Sequence, residues 1–197
     1  MSSNTTTMHV GDRSLTVREI TIDDIERLRR MFNRLSPDSV YRRFFSPIHE
    51  PSRTALLWLT SVDHARREAL VALDGDEIVA VARYDGRPEG NTAEIAVTVE
   101  DDWQHLGVGQ RLAKRLAKRA IDHGIESFEL VVQPDNRAAL GLLRKLSPDA
   151  AVHFDGGEYA ASVPLDAATS SGPPSPASLP RATVVALRPV DEPVDEP

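Results

Sequence analysis

The sequence predicts a mixed α+β sheet of about seven strands with about four or five helices packed on it. From residue 14 to residue 165 the apolar residues switch between strand and helix periods. Their order is strand, helices, hairpin, strand, helix, strand, helix, hairpin. Asp74-Gly75-Asp76 and Gly156-Gly157 each sit between two apolar runs, as hairpin turns do. A glycine-rich loop, Gln104-His105-Leu106-Gly107-Val108-Gly109, leads into a long amphipathic helix.

Met1 to Arg13 are polar and are expected to be flexible. Leu15, Val17 and Ile20 suggest the first strand. Thr21 is a good N-cap, with Asp23 and Asp24 in the first turn, for a helix whose apolar positions Ile22, Ile25, Leu28, Met31, Phe32 and Leu35 follow the 3.6 period. Ser36 caps a second helix with Pro37 at its first position, and Pro51 to Thr60 form a third. Strands Ala69 to Leu73 and Ile78 to Tyr84 make a hairpin, and Arg87 to Asn91 form a loop. Strand Thr92 to Val99 follows, then the acidic link Glu100 to Trp103, the glycine-rich loop, and a helix from Gly107 to His123 that Gly124 ends. Strand Phe128 to Val132 and a helix after Asn136 come next. The terminal hairpin pairs Ala151 to Asp155 with Glu158 to Val163.

A glycine-rich turn between a strand and a helix N-terminus exposes unpaired N–H groups at the positive end of a helix dipole, a favourable place for an anion. A triphosphate loop would require Lys-Ser/Thr after its last glycine, and Gly109 is followed by Gln110-Arg111. A dinucleotide loop requires a third glycine where Leu112 stands. What remains is Q-x-x-G-x-G, which resembles the acetyl-CoA loop of the GNAT superfamily of acyltransferases.

Two further stretches extend the resemblance to roughly residues 14 to 165. Asn136, Ala139, Leu142 and Leu146 match a second GNAT pattern, whereas Leu143, Ser147 and Pro148 depart from it. Leu35-Ser36-Pro37-Asp38-Ser39-Val40-Tyr41-Arg42-Arg43-Phe44-Phe45-Ser46-Pro47, Val62-Asp63-His64 and Ala69-Leu70-Val71-Ala72 are similar to bacterial protein lysine acetyltransferases. The resemblance implies a GNAT fold with a mostly antiparallel sheet, acetyl-CoA as cosubstrate and no metal. In such proteins the backbones of Val97, Thr98 and Val99 would pair with pantetheine amides. His105, Leu106, Gly107, Val108, Gly109 and Gln110 would supply pyrophosphate donors. Asn136 has two compatible roles, a side-chain bond to the cofactor or the N-cap of its helix.

Acetyl transfer to an amine needs a base, because a lysine amine has a pKa of about 10.4. Glu94, sharing a strand face with Ala96 and Thr98, is the candidate. A glutamate at the corresponding position is the general base in the acetyltransferases this chain resembles. Many GNAT enzymes protonate the thiolate with a tyrosine where this chain has Leu143, and Tyr159 is a distant substitute. The bases Arg111, Lys114, Arg115, Lys118 and Arg119 are read either as a solvated helix face or as an attraction for the CoA phosphates.

The chain has 197 residues, no cysteine and a formal net charge of -7. A thiol nucleophile and a thiolate metal site are excluded. The acidic balance argues against nucleic acid as a partner. With no run of about 18 apolar residues and no signal-like N-terminus, no membrane association and a cytoplasmic location are expected. Residues 166 to 197 hold seven of the 14 prolines and a net acidic charge, and are expected to be a disordered tail in which Ala182 to Leu187 offers a partner-binding motif. The favoured function is direct acetyl transfer to protein lysine. Its rivals are acetylation of a small amine and a non-catalytic acyl-CoA sensor.

Overall fold

The computed structural model describes residues 5–46, 50–148 and 150–165. Eight strands, β1 (Thr6–Val10), β2 (Arg13–Glu19), β3 (Arg67–Asp74), β4 (Glu77–Gly86), β5 (Thr92–Val99), β6 (Ser127–Val132), β7 (Ala151–Asp155) and β8 (Glu158–Pro164), form one sheet. Their order is β1-β2-β3-β4-β5-β6-β8-β7. Only β5 and β6 run parallel; every other neighbouring pair is antiparallel. The helices are α1 (Ile25–Arg34), α2 (Pro37–Phe44), α3 (Arg53–Thr60), α4 (Val108–Asp122) and α5 (Arg137–Leu146). The expected α+β class and mixed, mostly antiparallel sheet are thus observed.

The additional strand lies in the segment expected to be flexible. Met8 and Val10 alternate inward and are only 3% and 5% exposed, and Gly11, at φ 58°, closes a two-residue turn onto Arg13. Of the polar residues that disguise the strand, Thr7 and His9 form its outer face and Thr6 lies on the α4 side. Arg115 of α4 donates to Thr6 Oγ1 at 2.6 Å, and Arg111 donates to the His9 carbonyl. Arg13 then stacks its guanidinium 3.4 Å from the Trp103 ring centroid.

The sheet is covered on both faces. Leu112, Leu116 and Ala120 of α4 join Leu15, Leu70, Ala82 and Tyr84 in one core. On the other face Met31 of α1 packs with Ile20, Val71 and Val81, and Phe32 with Val40 and Phe44 of α2. Strands β3 and β4 outrun their expected limits because the charged ends pair across the ladder, Arg67 opposite Asp85 at 2.9 Å. The first helical turn, Ile22–Asp24, is 3-10, and α1 proper begins at Ile25. Residues 166–197, including Ala182 to Leu187, lie outside the described residues. Among the described residues no helix is long and apolar enough to cross a membrane.

Deleting the Met8 side chain beyond Cβ tests the corrected N-terminus. Met8→Ala should cost about 2 to 4 kcal/mol in urea unfolding, as for a core methionine, and a mobile tail would give almost no change.

Candidate active site

The central feature is a fork between two strands. β5 pairs with β4 over Ala93–Val99, but it pairs with β6 only through Thr92–Glu94 against Ser127–Glu129. Beyond Glu94 the two parallel strands part. The β5 edge from Ile95 to Val99 therefore has no strand partner on that side, and a cleft of about 530 Å³ opens between it and Leu130, Val131 and Val132. The floor of the cleft continues into the Gln104–Gln110 loop, the start of α4 and α5.

The two loop glycines are required for different reasons. Gly107 has φ 80°, a left-handed conformation that costs other residues energy, and it turns the chain into α4. Gly109 lies so close to β5 that a Cβ would meet Val99 and Val97 methyls at 3.2 and 3.3 Å. Gln104 fastens the loop by donating to the Val99 carbonyl at 3.1 Å and to Ser39 Oγ at 3.1 Å. The unpaired N–H groups at the N-terminus of α4 thus border the open edge of β5.

Glu94 stands at the crotch of the fork. Its neighbours in register are Asp85 of β4 and Glu129 of β6, so three carboxylates form a row across three strands. The outer two are neutralised. Asp85 accepts from Arg67 and Arg83, each at 2.9 Å, and Glu129 accepts from Arg87 at 2.6 Å. Burial pushes the Asp85 carboxyl up, but Arg83 and Arg67 outweigh it and hold the group below its ordinary value. Glu94 takes part in none of these ion pairs among the described residues. Burial pushes its carboxyl up. Arg43 and Arg87 pull against that and Asp85 and Glu129 add to it, leaving Glu94 above the ordinary range. This environment suits a carboxylate that exchanges a proton.

The α2 helix forms one wall of the cleft and is anchored there. Asp101, in the short 3-10 link after β5, accepts from Ser36 N at 3.0 Å, Ser36 Oγ at 2.8 Å and Ser39 Oγ at 2.9 Å. These bonds fix the α2 N-terminus and place Arg42, Arg43 and Phe45 along the cleft. A second, apolar cavity of about 50 Å³ under α1 to α3 meets the cleft at Arg43, Ala96 and Thr98.

Of the residues expected at the site, Glu94, Val97, Thr98, Val99, His105, Gly107, Val108, Gly109, Gln110 and Asn136 line this one cleft. Leu106 does not line it and is 46% exposed. Asn136 caps α5, its Oδ1 accepting from Ala139 N at 3.0 Å, which leaves its amide N–H₂ available. Leu143 contributes an apolar wall, 5% exposed. Tyr159 packs on Phe154, ring centroids 5.0 Å apart, and is absent from the cleft lining. Three of the five α4 bases, read either as a solvated face or as an attraction for the CoA phosphates, are engaged elsewhere. Arg111 and Arg115 hold β1, and Arg119 bonds Glu19 and buried Glu68. His64 also bonds Glu68, at 2.8 Å, in a structural role. Among the described residues no cluster of His, Cys, Asp and Glu is placed to hold a metal ion. The sequence reading did not single out Arg43, Asp101 or the Arg87–Glu129 pair. Arg43 stands within the stretch similar to lysine acetyltransferases, Asp101 in the acidic link and Glu129 inside an apolar strand, and none carries a signal of its own.

Residues 28–147 match the Acetyltransferase (GNAT) family. An acetyltransferase of Pseudomonas aeruginosa is 35% identical over 147 residues, 70% of this chain and 79% of that protein. Acetyltransferase Pat of Mycolicibacterium smegmatis is 32% identical over 133 residues, 66% of this chain but 40% of the longer protein. The crystal structure of the GNAT domain of S. lividans PAT superposes with a TM-score of 0.75 at 27% identity, covering 81% of this chain and 96% of that domain.

The raised Glu94 carboxyl has a signature in stability. The native state holds this proton more tightly than the unfolded chain. The resulting stability is complete below the ordinary glutamate value and is lost as pH rises through the folded one. Glu94→Gln should therefore gain stability relative to the parent as pH rises across that window, in urea midpoints taken from about pH 4 to about pH 8. Parallel curves would mean that Glu94 titrates as it does in water.

Proposed function

The chain belongs to the acetyltransferase (GNAT) family, and from that premise we propose that it transfers acetyl directly from acetyl-CoA to a primary amine of a protein lysine, with Glu94 as general base. The observation that carries this reading is the fork. It leaves one edge of β5 open beside a helix N-terminus and sets a carboxylate of raised pKa where the strands part.

The cleft suits the cosubstrate. An amide-bearing arm can add to the free β5 edge at Val97, Thr98 and Val99 as a peptide would. Backbone N–H groups from His105 to Gln110 face a pyrophosphate. The Gly109 contact with Val97 and Val99 shows how little room a side chain would leave. The Asn136 amide adds a donor from α5. Acetyl-CoA supplies the thioester, and the chain supplies position and a proton acceptor.

An ammonium entering beside Glu94 must lose its proton before its nitrogen can attack. A carboxylate with raised pKa is a better acceptor than one in water, and such bases contribute about 10² to 10⁴ in rate. A backbone N–H of Val97 to Val99 polarises the thioester carbonyl. Leu143 offers no proton to the departing thiolate, and a thiol of pKa about 8.5 leaves with little assistance. Protein lysine is supported by the resemblance of the α2 stretch to bacterial protein lysine acetyltransferases. The same stretch forms the cleft wall beside Glu94.

Glu94→Gln should lower turnover by about 10² or more while leaving the dissociation constant for CoA within about twofold. The direct test is mass spectrometry of a lysate incubated with acetyl-CoA and either protein, with polyamines and aminoglycosides as competitors. Site-selective acetyl-lysine made by the parent alone supports the proposal. Loss of that product to a small-amine competitor favours the small-molecule reading. Tight CoA binding without any product favours a sensor.

A further inference from the structure

Five arginines surround the crotch of the fork, and four have protein carboxylates. Arg42 lies 3.8 Å from both Asp38 and Asp135, Arg67 and Arg83 each lie 2.9 Å from Asp85, and Arg87 lies 2.6 Å from Glu129. Arg43 is the exception, forming no ion pair among the described residues. Its guanidinium packs 5.0 Å from the Phe44 ring centroid and lines both the cleft beside Glu94 and the smaller apolar cavity. The helix that carries it is held by Asp101, so the side chain starts from a fixed base.

We propose that Arg43 is a specificity-determining residue that holds a carboxylate of the acceptor next to the amine delivered to Glu94. The inference rests on the acetyl-transfer reading and refines its substrate class. A guanidinium presents a planar fork that matches a carboxylate in a bidentate arrangement, and it is the more weakly hydrated of the two basic side chains. Burial and neighbouring Arg83 lower its pKa to about 10, with Glu94 and Asp85 opposing them, so it remains a cation at neutral pH. A partly buried cation with no ion pair among the described residues gains from an anion that arrives with the substrate. Glu94 does not fill that role among the described ion pairs, and a close pair with Arg43 would lower the basicity of its carboxylate and weaken it as a proton acceptor. The carboxylate has two possible sources: an Asp or Glu beside the reactive lysine in a protein, or the α-carboxylate of a free amino acid.

The experiment compares kcat/KM for matched acceptors with the full chain and with its Arg43→Gln and Arg43→Lys variants. One arm uses end-capped lysine peptides with Glu or its isostere Gln next to the lysine. The other uses free amino acids against their amides. The parent should prefer the carboxylate member by roughly tenfold or more, mainly through KM. Arg43→Gln should reduce that ratio to within about twofold, with Arg43→Lys in between. Any effect of the substitution on Glu94 is common to both members of a pair and cancels in the ratio. A preference in only one arm identifies the source of the carboxylate. No preference in the parent, or the same preference in Arg43→Gln, overturns the proposal. Absence of turnover with every acceptor overturns the acetyl-transfer reading, and this inference with it.

Discussion

The structure depends on where one parallel pairing stops. Three residues of β5 match three of β6, and the ladder then ends at Glu94 and Glu129. An unpaired strand edge inside a sheet normally costs unsatisfied backbone hydrogen bonds, which proteins cover or use. Here the opposite edge of β5 stays bonded to β4 along nearly its whole length, so the strand is held rigidly while its other side is open. The terminal hairpin keeps β6 from collapsing onto that edge by pairing it with β8 from Ser127 to Val132. Rigid walls and a free edge make the cleft a recognition surface.

The electrostatics follow from the same point. A fork that starts at Glu94 places that carboxylate between two others, an arrangement that would be repulsive if all three were left ionised and unpaired. Arg67, Arg83 and Arg87 remove the outer charges from the problem. At Glu94 burial outweighs the opposing pull of Arg43 and Arg87. The arginines are therefore as much a part of the candidate site as the base, although only Arg83 is buried. Trp58, stacked 4.2 Å from Arg67 and 4.6 Å from Arg83, adds a second restraint on their positions.

Elements with a strong period or a turn signature were readable in the chain: the amphipathic α1 and α4, the Asp74 and Gly156 turns, and the glycine loop with Glu94 in the strand before it. The Thr6–Val10 strand was not, because only Met8 and Val10 carry its apolar face and threonines and a histidine fill the rest. The fork was also hidden. Nothing in Thr92–Val99 or Ser127–Val132 states how many residues pair, since that number is set by the helices and the hairpin packed around both strands. That Arg111 and Arg115 turn to β1 was hidden for the same reason. Arg43 and Asp101 gain meaning only when α2 is placed across the end of β5, a contact between residues 65 positions apart in sequence.

Hydrogen exchange at the amides of Ile95 to Val99, followed with and without CoA, reads the occupancy of the open β5 edge. CoA is expected to slow exchange in this stretch and in the His105–Gln110 loop while leaving β1 to β3 unchanged. Binding of CoA with no added protection on β5, or with protection confined to the outer face of α4, would contradict it.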